Sequence, residues 1–163
     1  MQAERQWRQA QCGHRRRPAC TSNLQELTTG HFQEIIDDST PPKNVKRIVL
    51  CSGRFYYDLI AERQKTDTKD LAIIRIEQLY PLNTEKLSAL FAKYPDATEY
   101  IWAQEEPSNM GAWSYLFPIL ISLIPKNRSI TYVGRDCSAS PAVGSHALHK
   151  NQHHKLMQTL FGK

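Results

Sequence analysis

No stretch of this sequence is long and apolar enough for a membrane-spanning helix, which needs roughly 20 apolar residues. The longest candidate, residues 116–124, is interrupted by Pro118. The first residues are rich in arginine rather than in apolar side chains, so the sequence shows no secretory signal peptide. The same segment lacks the clear apolar face that a mitochondrial presequence needs. We therefore expect neither a membrane-spanning nor a secreted protein.

Cysteine is scarce and irregularly placed. The four cysteines are Cys12, Cys20, Cys51 and Cys137. Their spacing does not form a disulfide framework, and Cys12, His14 and Cys20 do not have zinc-finger spacing. The cysteine content therefore favours a reducing, cytoplasmic location.

The net positive charge is almost absent from the greater part of the chain. The net charge is +5, but residues 1–20 hold five arginines against one acid, Glu4, and so account for +4 of it. We expect this basic tail to be disordered, because it has too little apolar surface to offset the chain entropy of folding. An arginine-rich arm could also bind RNA or anionic lipid, although Trp7 is its one aromatic residue.

Motifs of several common catalytic sites are also missing. The sequence contains no Walker loop, no GxGxxG, no HExxH and no serine nucleophile elbow. Gly53 follows a predicted strand, but a single glycine is a weak signal for phosphate binding. Motif chemistry alone therefore names no reaction.

A regular alternation of strands and helices is present. Predicted strands begin near Val45, Leu71, Tyr100 and Ser129, at intervals of 26, 29 and 29 residues. Such intervals fit a strand, a helix and the return to the sheet, which predicts right-handed crossovers and a mostly parallel sheet. Residues 31–36 alternate weakly between polar and apolar side chains and predict an edge strand. A short capped helix is expected to end near Gly30, Asn83 or Thr84 should cap a later helix, and a last helix follows Ser145.

The segment at residues 100–113 organises the rest of this pattern. Four residues from Tyr100 read as a buried strand, which then turns polar and should stop at Pro107 because proline cannot donate to a sheet ladder. Ser108 or Asn109 could cap a following helix, and Gly111 would let another backbone approach closely.

Parallel strands bring the loops after their carboxyl ends to one edge of the sheet. The polar loops expected there are residues 52–54, 77–81, 105–108 and 134–141. Glu105 and Glu106 could act as an acid and a base, but neighbours in an extended segment point to opposite sides. A structural or interface role for both, together with Trp113, is therefore the better prediction.

Two further polar groups have both functional and structural interpretations. Arg135, Ser138 and Ser140 could bind an anion beside the helix that opens at Ser145, or they could serve as a surface arginine and a helix cap. His146, His149 and His153 share one helical face. No carboxylate lies in register with them, so we predict a solvated polar face and no metal site.

Four motifs, in order and spacing, resemble one known family. They are VKRIVLCSG with YYDL at residues 45–59, IRIEQLYP at 74–81, QEEP with GAW at 104–113, and SASPAVG at 138–144. The resemblance is to the carboxyl-terminal, transketolase-C-like domain of the thiamine-diphosphate-dependent first component of the 2-oxoglutarate dehydrogenase complex, over about residues 21–163. It implies a three-layer α/β/α domain on a mixed, mostly parallel five-stranded sheet, with the segment at His31 as the antiparallel edge strand.

The resemblance also implies a parent reaction and its partners. That reaction is the oxidative decarboxylation of 2-oxoglutarate, with transfer of the succinyl group to lipoyl-lysine in the citric acid cycle. In the family, thiamine diphosphate, magnesium and the catalytic residues lie in preceding domains, and this domain supports a homodimer that works with dihydrolipoyl succinyltransferase. We therefore expect no catalytic residue and no cofactor in this chain. Residues 1–20 depart from the family and resemble a truncated or frame-shifted reading frame.

One family site can be mapped in part. Some members bind acetyl-CoA or an adenine nucleotide against this domain, and their contact positions correspond to Gln78, Lys86, His31 and Glu34 here. His31 and Glu34 replace a lysine and a serine, which should weaken phosphate binding. Gln78 could instead be a strand-end residue that bonds to a neighbouring loop. The chain is thus predicted to be an inert structural domain, with a free-standing effector-binding or assembly module and an RNA-associated protein as the alternatives.

Overall fold

The computed structural model describes residue 21 and residues 24–162, and these fall into two units that divide between Gln33 and Glu34. In the first unit, helix α1 spans Leu24–Thr28. The hydroxyl of Thr29 donates to the carbonyl oxygen of Gln25 at 3.0 Å and so closes the last turn of this helix. The short helix predicted before Gly30 is therefore confirmed. The basic tail, its predicted disorder and its RNA contact lie outside the described residues and stay predictions.

The second unit alternates strands and helices in the way that the spacing predicts. In its described part, residues 34–162, the elements are β1 Ile35–Ile36, β2 Arg47–Cys51, α2 Phe55–Thr66, β3 Leu71–Ile76, α3 Thr84–Ala92, β4 Glu99–Pro107, α4 Trp113–Leu123, β5 Ser129–Arg135 and α5 His146–Phe161. No helix in the described part of the chain has the length and apolar character that a membrane crossing requires.

The strands form one mixed sheet in the order β1-β3-β2-β4-β5. Strands β2 to β5 are parallel, with Ile48 opposite both Ala72 and Tyr100. Strand β1 runs antiparallel to β3, with Ile35 opposite Ile76. The predicted mixed, mostly parallel five-stranded sheet is confirmed.

Helices cover both faces of this sheet, because successive side chains of a buried strand point to opposite sides. Ile48 and Leu50 of β2 belong to a core shared with α3 and α4. Val49 and Cys51 of the same strand belong to a second core, shared with α2 and α5. The result is a three-layer α/β/α unit with its two cores on either side of the sheet.

The edge strand is shorter than predicted. Only Ile35 and Ile36 pair with β3, whereas the sequence predicts a strand over residues 31–36 and His31 lies in the first unit. Beyond β1, the buried carboxylate of Asp38 accepts a hydrogen bond from the backbone N–H of Ile73 in β3, at 2.9 Å. A side chain thus replaces the backbone acceptor that a longer strand would supply.

Side-chain caps are present at the starts of α3 and α5. The side chain of Asn83 accepts from the N–H of Lys86 at the start of α3, and that of Ser145 accepts from Leu148 at the start of α5. The cap predicted for α4 at Ser108 or Asn109 is wrong, since Ala112 precedes this helix and makes no side-chain cap. The turn before α4 is held by another residue, Gln104.

Candidate functional site

The loops after the carboxyl ends of the parallel strands contact one another, as predicted. The backbone N–H of Gly53, after β2, donates to Glu77 Oε1, after β3, at 3.1 Å. Arg54 Nη2 lies 3.2 Å from Glu105 Oε2 near the end of β4. The loop after β4 in turn bonds to the loop after β5. We call this connected set the loop edge.

Gln104 is the centre of the loop edge. Its side chain is 4% exposed, and its amide oxygen accepts from the indole Nε1 of Trp102 at 2.8 Å and from the backbone N–H of Trp113 at 3.2 Å. Its amide nitrogen donates to the carbonyl oxygens of Met110 at 2.7 Å and Pro107 at 3.2 Å. One neutral amide therefore joins the end of β4, the turn and the start of α4.

Gly111 is the position in this turn that requires a glycine. Its φ is +69°, in the left-handed region that side chains disfavour, and a Cβ atom there would lie 2.9 Å from Gln104 Nε2. The sequence predicts that Gly111 admits a neighbouring backbone. The structure corrects this prediction, because the group that approaches is the side-chain amide of Gln104.

The loop after β5 is fastened to this turn by reciprocal hydrogen bonds. Asn109 Nδ2 donates to Ser138 O at 2.9 Å, and Ser138 N donates to Asn109 Oδ1 at 3.1 Å. The hydroxyl of Tyr132 lies 2.8 Å from Glu106 O and can donate to it. Burial raises the pKa of Tyr132 to about 12, so the hydroxyl keeps its proton as a donor at neutral pH.

The adjacent carboxylates Glu105 and Glu106 have different surroundings. Glu105 is partly buried and paired with Arg54. Glu106 has an exposed side chain and contributes its backbone carbonyl to Tyr132. This arrangement favours structural roles over an acid–base pair.

The residues of the predicted anion-binding loop are engaged with the protein itself. Arg135 is 9% exposed, and its Nη2 lies 3.0 Å from His149 Nδ1 on α5. Ser138 Oγ accepts from the N–H of Ser140, and Ser140 Oγ donates to Ala142 O at 2.8 Å. Anion binding here remains a prediction, and each of its three residues also has an internal role.

The residues mapped from the effector-binding relatives are only partly brought together. Gln78 N donates to Glu34 O at 3.0 Å, and Glu34 Oε2 accepts from Asn83, which caps the helix at Lys86. The side-chain amide of Gln78 donates to Pro81 O at 2.9 Å, which is the loop-bonding role weighed above. His31 belongs to the first unit, where its Nε2 lies 3.2 Å from the side-chain amide of Gln33. Effector binding therefore stays a prediction.

An apolar surface adjoins the loop edge on α4. Trp113 packs on Phe117 with 4.9 Å between ring centroids, and Tyr115 meets Tyr80 edge to face at 6.3 Å. The large apolar side chains that are exposed here are Tyr80, Tyr115, Phe117 and Ile121, with exposed fractions from 38% to 81%. We call Trp113 and these four residues the α4 face. Exposed clusters of large apolar side chains commonly mark interaction surfaces.

The histidines of α5 are not a uniform solvated face. His146 is exposed, but His149 bonds to Arg135, and His153 lies edge-on to Phe55 with 6.3 Å between ring centroids. The prediction of a solvated polar face is thus wrong for two of the three, because α5 packs against the sheet through this side.

The described residues do not fit thiamine diphosphate with magnesium, the cofactors that the resemblance implies for the parent enzyme. Mg²⁺ prefers oxygen ligands and substrate phosphates. In the part of the chain that the structure describes, the metal-ligating side chains that converge are Asp58, Glu105 and His153, beside the guanidinium of Arg54. An imidazole and a competing cation do not suit a diphosphate-bound Mg²⁺, and the sequence has no Gly-Asp-Gly motif. We therefore assign no cofactor step to these residues.

The fold and the loop edge define an α/β/α domain whose polar loops are bonded to each other and whose apolar α4 face is open. A family model described as 2-oxoglutarate dehydrogenase C-terminal matches residues 21–161. The chain belongs to this family of carboxyl-terminal domains, which confirms the resemblance inferred from the four motifs.

Relatives across bacteria and eukaryotes agree with this assignment. The chain is 48% identical over 142 residues to the oxoglutarate dehydrogenase of Buchnera aphidicola subsp. Baizongia pistaciae, covering 86% of this chain and 16% of that protein. It is 46% identical to the 2-oxoglutarate dehydrogenase E1 component of Haemophilus influenzae, covering 88% of this chain and 16% of that protein. It is 44% identical to the mitochondrial 2-oxoglutarate dehydrogenase of Dictyostelium discoideum, covering 80% of this chain and 14% of that protein. The chain thus spans about one-sixth of the length of these relatives.

Sequence reasoning missed the role of Gln104 at this edge. A signal was present, because Gln104 directly follows a buried strand and lies close in sequence to two tryptophans, Trp102 and Trp113. Buried indole and backbone N–H groups need acceptors, and a glutamine is the nearest side chain that offers both an acceptor and a donor.

Proposed function

We propose that this chain is the structural and association domain of a decarboxylating 2-oxoglutarate dehydrogenase E1 component and carries no catalytic residue of its own. The parent reaction is the oxidative decarboxylation of 2-oxoglutarate with succinyl transfer to lipoyl-lysine, a step of the citric acid cycle. The observation that carries the proposal is the family match over residues 21–161, together with a loop edge whose polar groups bond to one another.

The loop edge gives this domain a fixed surface for association. Gln104 holds the turn that begins α4, and α4 presents Phe117 and Ile121 to the exterior. Burying such side chains against a partner releases free energy of about 25 cal/mol per Å² of apolar surface. The proposed occupants of the α4 face are the remaining domains of the E1 component and the second subunit of a homodimer.

The proposal extends to the cofactors, the complex and the compartment. Thiamine diphosphate and magnesium would bind to other domains of the parent enzyme, and dihydrolipoyl succinyltransferase would accept the succinyl group. Cys51 and Cys137 are free thiols, which supports a reducing, cytoplasmic setting.

A hydrodynamic experiment tests the association role. Sedimentation velocity of the purified chain should show concentration-dependent dimers or larger species. The variant Phe117→Glu should shift the distribution to monomer, since it places a charge in the apolar α4 face. Gln158→Glu is the matched control, because it adds the same charge at an exposed position of α5 on the other side of the sheet.

The two possible results differ clearly. Association that weakens in Phe117→Glu and persists in Gln158→Glu supports the proposal, provided that circular dichroism shows both variants to be folded. A monomeric wild-type chain at high concentration, or equal behaviour of the two variants, contradicts it.

A further inference from the structure

Three metal-ligating side chains from separate elements converge beside the loop edge. Asp58 lies in the first turn of α2, Glu105 near the end of β4 and His153 on α5. One ligand atom of each lies within 4.8 Å of the others, and all three side chains are partly buried. We propose that these residues form a site for a divalent cation of the zinc type.

The imidazole of His153 is held in a defined orientation. Phe55 packs edge-on against it, at 6.3 Å between ring centroids and an interplanar angle of 80°. The ring of His149 stacks on the ring of His153, with 6.3 Å between ring centroids and an interplanar angle of 25°. His149 is itself held by Arg135, whose Nη2 lies 3.0 Å from His149 Nδ1. A ligand fixed by such neighbours loses little side-chain entropy when a metal binds.

The donor set selects the kind of cation. Zn²⁺ accepts imidazole nitrogen and carboxylate oxygen at about 2.0–2.2 Å, and three protein ligands with an open fourth position are common. Mg²⁺ and Ca²⁺ prefer oxygen alone and more ligands. Bonds of that length put tetrahedral ligand atoms about 3.3 Å apart. The separations here, up to 4.8 Å, require only small rotations of the three side chains.

Arg54 is a built-in competitor for this site. Its Nη2 lies 3.2 Å and 3.5 Å from the two carboxylate oxygens of Glu105. A cation that binds Glu105 must share this carboxylate with the guanidinium or displace it. Removal of Arg54, the native ion-pair partner of Glu105, should therefore strengthen metal binding.

A bound cation would join α2, β4 and α5. Because a ligand that binds only the folded state raises stability with its concentration, Zn²⁺ should raise the melting temperature of the chain. Binding should also weaken at acid pH, since imidazole and carboxylate ligands must be deprotonated.

The site is tested on the full chain, free of any affinity tag, by titration calorimetry with ZnCl₂ and by thermal melting. We expect one Zn²⁺ per chain and a melting temperature that rises with Zn²⁺. His153→Asn should weaken the association constant at least about tenfold, as the loss of a ligand costs no less than the loss of an outer-shell partner. His154→Asn is the matched control, because it removes an exposed neighbouring histidine of the same helix and should leave binding unchanged.

Two further measurements keep the proposal open to refutation if His153→Asn folds poorly. Arg54→Gln should bind Zn²⁺ several-fold more tightly than the wild type. In the unaltered chain, nitrogen NMR of the histidine rings should show Zn²⁺ shifting His153 and not His146. The proposal is overturned by the absence of stoichiometric binding, by equal losses in His153→Asn and His154→Asn, or by weaker binding in Arg54→Gln.

Discussion

At the scale of single residues, Gln104 holds the turn through which the chain passes from β4 to α4. Its amide satisfies a buried indole N–H on one side and three carbonyl oxygens of the following turn on the other. An aliphatic residue of similar size could fill the space but would remove the partner that Gln104 gives to the indole N–H of Trp102 and to the carbonyl oxygen of Met110. Because unpaired buried polar groups cost more than a typical hydrogen bond contributes, Gln104 is a main determinant of the order of this turn.

Replacing Gln104 by leucine should therefore lower the free energy of unfolding by at least about 2 kcal/mol. Urea denaturation followed by tryptophan fluorescence measures this change, since Trp102 and Trp113 both contact the amide. Glu106→Gln is the control and should change stability by no more than about 0.5 kcal/mol, because its side chain is exposed. Equal stability of the two variants would contradict the role given to Gln104.

Asp37 has a carboxyl group whose pKa is lowered in the folded state. Burial acts to raise its pKa, but hydrogen bonds from Lys93 and Tyr94 outweigh burial and hold the pKa below the ordinary value of 3.8. A folded-state pKa below the unfolded value means that the carboxylate stabilises the folded state above the unfolded pKa. This stabilisation is lost as the pH falls through the folded pKa.

The variant Asp37→Asn should thus be less stable than the wild type near neutral pH. The difference should begin to shrink as the pH falls below the ordinary value of 3.8, where the carboxyl of the unfolded wild type becomes protonated. It should be lost once the pH has fallen through the lower folded-state pKa. Urea midpoints measured across this pH range provide the test, with exposed Asp96→Asn as the control. A difference that stays constant or grows toward acid pH would show that the stabilisation does not come from the Asp37 carboxylate.

At the scale of elements, the short strand β1 is completed by a buried ion pair. Asp38 bonds to the N–H of Ile73 in β3 and pairs with Arg63 of α2. Arg63 Nη1 also lies 3.3 Å from Leu71 O. The pair therefore links the edge of the sheet to the helix that covers it, and both partners are more than nine-tenths buried.

Arg63→Met should destabilise the chain by about 3–5 kcal/mol, because it leaves the Asp38 carboxylate buried without its cation. The double variant Asp38→Asn with Arg63→Met should lose less than the sum of the two single changes, since neither partner is then left as an isolated charge. Thermal melts of the three variants supply the comparison. Lys65→Met, at an exposed ion pair of the same helix, is the control and should change little.

The sequence predicts elements better than it predicts their contacts. Strand spacing predicts that β2 to β5 are parallel, because a parallel crossover needs a nearly constant length of chain. The cap at Asn83 follows from local chemistry alone. The pattern at residues 31–36 predicts a longer strand than β1, which pairs with β3 through Ile35 and Ile36 and is followed by the contact of Asp38 with Ile73, 35 residues distant in sequence.

The same limit applies to the site. The convergence of four loops follows from parallel topology, and the structure confirms it. The partners of His153 could not be found by searching its own helix for a carboxylate in register, because Asp58 and Glu105 come from α2 and β4. Contacts between elements depend on packing, which a pattern along one element does not contain.

At the scale of the whole molecule, residues 34–162 form an α/β/α unit with an internally bonded loop edge and an exposed apolar α4 face. Its loops bond to each other, its two cores lie on either side of the sheet, and its α4 face presents large side chains to the exterior. The chain spans 16% of its Haemophilus influenzae relative, so the proposed activity depends on parts of an E1 component beyond the matched region. The family assignment describes the domain, and the reaction belongs to the proposed assembly.

Dye-coupled decarboxylation of 2-oxoglutarate tests this central claim most directly. Three proteins are compared in the presence of thiamine diphosphate and Mg²⁺: the isolated chain, the Haemophilus influenzae E1 component without its matched carboxyl-terminal region, and a chimaera in which residues 21–163 of this chain replace that region. We predict no turnover by the first two and restored turnover by the chimaera, because association places the other domains without adding a catalytic group. Saturable, cofactor-dependent decarboxylation by the isolated chain, or a folded dimeric chimaera without activity, would contradict the account.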